Sequence, residues 1–271
     1  MLDISAMDLA TIALEQPVDG VVVATLNRPD RLNAQTFQMF DDLAALPLLL
    51  RDEDDLRALI ITGAGRAFCA GFDLDEVGRI TELGVRQFLK FQELATGALA
   101  AIRGLPVPVI AAVNGPAAGG GMALALAADI RLASPGARIN AAFVKIGLSV
   151  GELGTSWQLT RLVGPGRAAE IAYTGRPVGA EEAERIGLVN RVVPEESLLD
   201  EAIALAVAIT RNSPGGVRMS KRALQANAEV ASYAAALELE NRGQALLTRG
   251  EDMPEALAAF KEKREPEFTG R

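Results

Sequence analysis

The chain has 271 residues, of which 49% are hydrophobic and 23% charged, and its formal net charge is -8. This composition is that of a globular protein long enough to bury a substantial core. An acidic chain without a long basic run is poorly suited to bind nucleic-acid phosphates, so we expect no nucleic-acid partner. Histidine is absent, which excludes Ser-His and Cys-His nucleophile pairs and the commonest metal ligand. Proton transfer must therefore fall to carboxylates, Tyr, Lys or backbone-held water.

Cysteine content and apolar stretches bear on the location of the protein. The single cysteine, Cys69, excludes an internal disulfide and leaves no cysteine cluster for a metal, so we expect no metal and a reducing cytoplasm. The first residues carry no basic segment ahead of an apolar stretch, so we expect no signal peptide. Residues 104–128 hold no charge, but prolines and glycines interrupt them, and we expect no membrane helix.

The chain opens with two predicted strands, residues 11–16 and 20–26, joined by the hairpin sequence Pro-Val-Asp-Gly. In the loop that follows, Asn33 is suited to cap a helix over residues 35–46. Arg31 in the same loop is a candidate phosphate contact, and the alternative is an ordinary solvated loop charge.

A short apolar run at residues 56–62 predicts a buried parallel strand. The run ends in Gly-Ala-Gly at 63–65, but Phe68 stands where a dinucleotide-binding Gly-x-Gly-x-x-Gly motif needs its third glycine. Residues 66–74 are therefore interpreted as a loop at the end of the strand, followed by a short helix at 73–77.

The glycine triplet at 119–121 is the most informative stretch of the chain. An apolar strand at 107–113 and a turn at 114–116 precede it, and a run of strong helix formers at 122–128 follows. The first N–H groups of a helix lack partners within the helix and lie at the positive end of its dipole. We therefore expect an oxyanion donor here. The alternative is a glycine turn that serves only close packing of helix and strand.

Glu152 is a lone acid among apolar residues, just ahead of a helix predicted to end at Val163. It is either a surface acid near a helix start or a buried group. Burial would raise its pKa and make it a usable acid and base.

The remaining pattern alternates strands and helices and then becomes helical. The other predicted elements are helices at 81–102, 164–174 and 180–186, short strands at 130–133, 137–140 and 189–193, and C-terminal helices at 195–211, 214–229, 232–248 and 254–264. We predict an α/β fold in which residues 1–195 form a spiral of ββα-like units. Residues 196–271 form a helical region with too little core to stand alone, which packs on the spiral and on neighbouring chains.

Several ordered motifs resemble those of the crotonase superfamily, the enoyl-CoA hydratase/isomerase family. They are Asn-Arg-Pro at 27–29 with Asn-Ala at 33–34, Arg-Ala-Phe-Cys-Ala-Gly-Phe-Asp-Leu at 66–74, Asn-Gly-Pro-Ala-Ala-Gly-Gly-Gly at 114–121, Thr-Arg-Leu-Val-Gly at 160–164 and Phe-Lys-Glu-Lys-Arg at 260–264. The resemblance implies a crotonase-like ββα spiral core and a helical C-terminal oligomerisation region. It also implies a homotrimer or a dimer of trimers, and an acyl-CoA thioester whose carbonyl oxygen is held by two backbone N–H groups.

Carried onto this chain, the resemblance assigns the two N–H donors to Phe72 and Gly120. It implies no cofactor other than the coenzyme A of the substrate. The residues that would line the coenzyme A path are Arg31, Ala34, Ala70 and Leu74, with Phe260 and Lys263 at the nucleotide end. The last two would reach it from a neighbouring subunit.

The departures from the family pattern bear on the reaction. Hydratases of the family resemble one another in two glutamates, whose positions hold Ala123 and Phe143 here. Glu152 aligns with an aspartate of dienoyl-CoA isomerases, ring-opening isomerases and an aryl-CoA dehalogenase. We therefore expect double-bond isomerisation with Glu152 as the only proton-transfer side chain, and Asp73 or Glu76 are the next candidates. The first alternative is enoyl-CoA hydration, as in fatty-acid oxidation. Displacement by a carboxylate nucleophile is less favoured, because the dehalogenase that resembles this chain also uses a histidine and this chain has none. The last alternative is a noncatalytic acyl-CoA- or RNA-binding relative.

Overall fold

The computed structural model describes residues 8–271. The residues that underlie the signal-peptide expectation lie largely outside this range. Within it, nine strands form two sheets. The strands are β1 Ile12–Val18, β2 Val21–Leu26, β3 Ala58–Gly63, β4 Val109–Val113, β5 Ala117–Ala118, β6 Ile130–Ala133, β7 Arg138–Asn140, β8 Val178–Gly179 and β9 Arg191–Val192.

The larger sheet has the strand order β1-β2-β3-β4-β6-β9, and the smaller one has the order β5-β7-β8. Strands β1 and β2 form the predicted antiparallel hairpin, with Val18 paired to Val21. All later pairs of the larger sheet are parallel. The loops that follow β2, β3 and β4 therefore leave the sheet at the same edge, because parallel strands end together.

Residues 8–271 also contain eleven α-helices, besides short 3₁₀ helices at Pro29–Arg31, Ala142–Ile146 and Glu195–Ser197. The α-helices are α1 Phe37–Leu50, α2 Leu74–Glu82, α3 Val85–Arg103, α4 Gly120–Ala127, α5 Thr155–Val163, α6 Pro165–Thr174, α7 Ala180–Arg185, α8 Leu198–Thr210, α9 Pro214–Asn227, α10 Tyr233–Leu247 and α11 Asp252–Glu262. Helix α2 is longer than the predicted 73–77 helix, and α3 starts later than predicted.

The prediction that Asn33 caps the first helix is wrong. Thr36 is the N-cap of α1, and its hydroxyl accepts a hydrogen bond from the Met39 N–H at 3.1 Å. Asn33 instead has φ 54° and donates to the carbonyls of Ala64 and Ala67. A short polar side chain tolerates this left-handed backbone and can hold a neighbouring loop, so Asn33 stabilises the loop after β3.

The helical C-terminal region packs on the larger sheet, as predicted. Helix α8 buries Leu198, Ala202 and Ala206 in an apolar cluster with side chains of the sheet. Lys221 of α9 donates to the Val107 carbonyl just before β4, at 2.8 Å. A division of the chain at residue 195 stays a prediction. None of the helices in residues 8–271 combines the length and apolar character that crossing a membrane requires.

Candidate active site

Two glycine-containing loops lie against each other at the carboxyl ends of β3 and β4. The Cys69 N–H donates to the Pro116 carbonyl, and the Ala118 N–H donates to the Cys69 carbonyl, both at 3.0 Å. Gly71 has φ 95°, and a Cβ placed on it would lie 2.8 Å from the Ala118 carbonyl oxygen and 3.8 Å from the Gly120 nitrogen. A side chain at residue 71 would therefore separate the loops.

Phe72 and Gly120 stand on these adjoining loops. Gly120 is the first residue of α4, after Gly119 with φ 51°, so the glycines occupy the turn and the first helical residues as predicted. Within residues 8–271, neither the Phe72 N–H nor the Gly120 N–H has a hydrogen-bond acceptor. Two unpaired N–H groups, one of them at a helix start, are suited to donate hydrogen bonds to a negatively charged oxygen.

The Phe72 side chain is held by an aromatic cluster that the sequence reading did not identify. Its ring centroid lies 5.8 Å from that of Phe37, 6.3 Å from that of Phe40 and 5.9 Å from that of Phe91. Such ring contacts add to apolar burial. Helices α1 and α3 thereby help to fix the loop that carries the Phe72 N–H.

Glu152 lies in the tight turn that leads into α5. Leu153 and Gly154 after it are both left-handed, with φ 50° and 77°, and the Glu152 carbonyl accepts from the Thr155 N–H at 2.8 Å. The side chain is half-buried, which lies between the surface acid and the buried group that the sequence left open. Burial raises the pKa of Glu152, and a hydrogen bond from the Gln92 amide at 3.4 Å opposes this shift.

A cavity of about 290 Å³ lies beside this turn. Its walls come from α3, α4 and the start of α5, and they are mostly apolar. The lining residues are Thr96, Leu99, Ala100, Arg103, Ala123, Ala127, Leu153, Gly154, Trp157, Gln158 and Glu229. Ala123 belongs to the same helix as Gly120, and Leu153 follows Glu152 in the chain, so both of these segments contribute to the cavity wall.

Ala123 and Phe143 stand where the resemblance places the two hydratase glutamates. Ala123 is 2% exposed, and Phe143 is 6% exposed. The Phe143 ring lies beside Gly119, since a Cβ on Gly119 would approach it to 3.7 Å. Neither side chain can transfer a proton, and Phe143 fills space next to the glycine turn.

Asp73 and Glu76, the other candidate acids, both form ion pairs with arginines. Asp73 pairs with Arg28 and Arg31, each at 3.0 Å. Burial alone would raise the pKa of Asp73, but hydrogen bonds from Arg28, the Asp75 N–H and Arg31 outweigh it and lower that pKa. Glu76 accepts a hydrogen bond from the Phe37 N–H and pairs with Arg79. The lowered pKa makes the Asp73 carboxylate a weak base.

Four of the predicted coenzyme A contacts lie on two segments that run side by side. The Ala70 N–H donates to the Leu32 carbonyl at 3.0 Å, and Arg31 pairs with Asp73 and Asp75. The cation of Arg31 is therefore shared with two carboxylates before any phosphate arrives.

The four residues differ in exposure. The Ala34 carbonyl accepts from Arg28, and Ala34 itself is buried. Ala70 is half-buried, and Leu74 at the start of α2 is 73% exposed. Solvent therefore reaches Leu74 and part of Ala70, whereas Ala34 is covered.

Phe260 and Lys263 lie at the end of α11, away from this hydrogen-bonded group. Phe260 is 85% exposed, and Lys263 ends the helix with φ 58°. Within the described residues, no hydrogen bond or ion pair joins either of them to residues 31–74. The structure of one chain does not bring them to the predicted path.

Sequence reasoning missed Gln35 and Gln92. Gln92 contacts Glu152 and Gln35 contacts Gly120, and the partners are 60 and 85 residues away along the chain. Gln92 falls inside a predicted helix, and Gln35 falls at a predicted helix start. A local pattern carries no signal for such distant partners.

Residues 8–271 also contain no group of three or more metal-ligating side chains.

The comparisons with known proteins bear directly on this arrangement. The model of the enoyl-CoA hydratase/isomerase family matches residues 17–271. The chain belongs to this family. Among curated relatives, the probable enoyl-CoA hydratase EchA12 of Mycobacterium tuberculosis (strain ATCC 25618 / H37Rv) is 41% identical over 268 residues, covering 96% of this chain and 93% of the relative. The 1,2-epoxyphenylacetyl-CoA isomerase of Escherichia coli (strain K12) is 38% identical and covers 93% of this chain and 96% of its own.

Solved structures show the same family and fold. An enoyl-CoA hydratase from Bacillus anthracis is 35% identical and superposes with a TM-score of 0.91, covering 96% of this chain and all of that one. The predicted α/β, crotonase-like fold and the membership of the crotonase superfamily are therefore confirmed. The chain is an enoyl-CoA hydratase/isomerase family enzyme. Most of these relatives are named hydratases, and the Escherichia coli relative is named an isomerase.

Proposed function

We propose that this enzyme isomerises the double bond of an acyl-CoA thioester, with Glu152 as its single proton-transfer group. One observation carries the proposal. Glu152 is a half-buried acid beside the cavity, whereas Ala123 and Phe143, at the positions of the hydratase glutamates, cannot move a proton. Isomerisation needs one group that removes a proton and returns it, so one acid suffices.

The proposed mechanism uses the acid and the two N–H donors together. The Glu152 carboxylate removes a proton from a carbon next to the thioester or along a conjugated chain, and the electron pair moves to the thioester oxygen. The Phe72 and Gly120 N–H groups hold the resulting enolate oxygen, and one such donor is worth about 3 to 4 kcal/mol in a transition state. The Glu152 carboxyl then returns the proton to another carbon of the chain.

Glu152→Gln tests this mechanism, because glutamine keeps the shape of the side chain and removes the base. We expect turnover of enoyl-CoA isomers to fall by roughly two to four orders of magnitude. Acyl-CoA affinity should stay within a few fold, since the oxyanion donors belong to the backbone. In deuterated water, the wild type should exchange protons next to the migrating bond, and the variant should not.

Glu76→Gln is the matched control, since it makes the same change at an acid already paired with Arg79. It should keep both turnover and exchange close to wild type. Wild-type turnover and exchange in Glu152→Gln would show that another group moves the proton.

Hydration of an enoyl-CoA with Glu152 as the only base is the second candidate, because the curated relatives are mostly named hydratases. We expect hydration of crotonyl-CoA to be slow. Without a second positioned acid, the enzyme lacks much of the roughly 100- to 10,000-fold rate acceleration that positioned proton transfer supplies. Turnover as fast as that of a two-glutamate hydratase assayed beside it would favour hydration instead.

The coenzyme A moiety is proposed to lie along Arg31, Ala34, Ala70 and Leu74. The adjoining backbone segments of these residues support this path. We propose that Phe260 and Lys263 complete the nucleotide end from a neighbouring subunit, since within one chain they are exposed and unconnected to the path.

A homotrimer or a dimer of trimers would supply that neighbour. Large apolar side chains exposed on the last three helices support such assembly. They include Leu224, Tyr233, Leu246, Met253, Leu257 and Phe260.

We place the enzyme in the reducing cytoplasm, in keeping with its single, buried cysteine. It is proposed to need no metal or redox cofactor, so activity should persist after exhaustive EDTA treatment.

A further inference from the structure

Gln35 is a fully buried polar residue that holds both sides of Phe72. Its N–H donates to the Gly71 carbonyl at 2.7 Å, and its carbonyl accepts from the Asp73 N–H at 2.8 Å. These two bonds join the peptide groups before and after Phe72 to one extended residue. They limit rotation of the Phe72 N–H about the backbone.

The side chain of the same residue reaches the other loop. The Gln35 Nε2 donates to the Gly120 carbonyl at 3.2 Å. The contact is close enough that a Cβ placed on Gly120 would collide with the Gln35 Oε1. One residue therefore contacts the peptide unit that carries the Phe72 N–H and, on the other loop, the peptide unit directly after the Gly120 N–H.

Stability alone gives a weak reason for glutamine at this position. Its Oε1 is buried and has no hydrogen-bond partner among the described residues. A buried acceptor without a partner is unfavourable, and an apolar side chain of similar length would avoid that cost. The Nε2 bond to Gly120 is the one interaction that such a replacement would lose.

We infer that Gln35 is a positioning residue that sets the separation and direction of the Phe72 and Gly120 N–H groups. The inference rests on the proposed function, in which these groups bind the thioester oxygen. Donors of this kind act only when they point at the place where the oxygen charge develops. A loosened Gly120 peptide should weaken carbonyl polarisation more than it weakens substrate binding.

Gln35→Met tests the inference, because methionine has a similar length and cannot donate to Gly120. Hexanoyl-CoA labelled with ¹³C at the thioester carbonyl is bound to each protein, and the carbonyl stretch is recorded by infrared difference spectroscopy. We expect the wild type to lower the stretching frequency and Gln35→Met to lower it less. On 3-hexenoyl-CoA, kcat should fall about 10- to 100-fold, less than for loss of a whole donor, with KM within about threefold.

Gln38→Met is the control, since Gln38 donates to Asp42 on α1 and should leave the carbonyl shift unchanged. Thermal unfolding verifies that each variant is folded, and Gln35→Leu is a second apolar variant. Failure of both apolar variants to fold would make Gln35 a structural residue and overturn the inference.

The infrared measurement needs binding only, so it separates the two proposals. Equal shifts in wild type and Gln35→Met would overturn the role of Gln35 and leave the proposed function intact. An unchanged carbonyl stretch in the wild type would overturn the oxyanion site and this inference with it.

Discussion

At the scale of single residues, burial and the contact with Gln92 together shift the pKa of the Glu152 carboxyl. Burial raises the pKa of the Glu152 carboxyl, and the Gln92 hydrogen bond lowers it in part. In the proposed mechanism the base is the Glu152 carboxylate, so activity should be lost as the pH falls through the raised pKa. The loss should therefore begin at a higher pH than for an ordinary glutamate of pKa 4.5.

Gln92→Leu should move this acidic limb to still higher pH, because the carboxylate loses the bond that favours it. The measurement is the pH dependence of kcat/KM for isomerisation, which reports groups of the free enzyme. Gln87→Leu on the same helix is the control, since Gln87 accepts from the Gly84 N–H and is not bonded to Glu152. An unchanged limb in Gln92→Leu would contradict the role of this contact.

At the scale of elements, the start of α4 depends on the absence of side chains. Gly120 and Gly121 bring the first turn of the helix against the loop after β3. A Cβ on Gly121 would overlap the Cys69 carbonyl oxygen. Since that oxygen also accepts from the Ala118 N–H, neither loop can move alone.

Gly121→Ala should destabilise the fold by about 1 to 3 kcal/mol, as overpacking of a close contact does, and should lower turnover by misplacing the Gly120 N–H. Urea unfolding and kcat are the measurements. Gly166→Ala in α6 is the matched control, because nothing lies within 4 Å of its added Cβ. The control should gain about 0.5 to 1 kcal/mol from helix propensity. Equal stability of the two variants would refute the close-contact argument.

At the scale of the whole molecule, a buried ion pair fastens the C-terminal helices to the sheet. The Lys221 ammonium lies 2.7 Å from the Asp129 carboxylate, and its side chain is 7% exposed. It also donates to the Val107 carbonyl. Asp129 in turn accepts from the Val109 N–H of β4, so the pair links α9 to the start of the strand that leads to the glycine loop.

Lys221→Met should lower the free energy of unfolding by about 3 kcal/mol, because it leaves the Asp129 carboxylate without its cation. Urea titration measures the change. Lys261→Met, at an exposed position of α11, is the control and should be within about 0.5 kcal/mol of wild type. A Lys221→Met protein as stable as the control would mean that this ion pair contributes nothing to holding α9 on the sheet.

The sequence by itself determined the parallel strands, the glycine turn at the start of α4 and the isolation of Glu152 among apolar residues. These features depend on local composition: apolar runs, helix formers and the conformations open to glycine. The absence of histidine likewise excludes Ser-His and Cys-His nucleophile pairs, whereas the interpretation of Ala123 and Phe143 depends on the family resemblance.

Only the tertiary structure decided which distant groups meet. It gave Asn33 a loop to hold instead of a helix to cap, paired Arg31 with two acids, and joined Gln35 to Gly120 across 85 residues of chain. A polar side chain has several possible partners of similar strength. Which of them it finds depends on how the strands stack and which loops close on each other, and no local pattern encodes that choice.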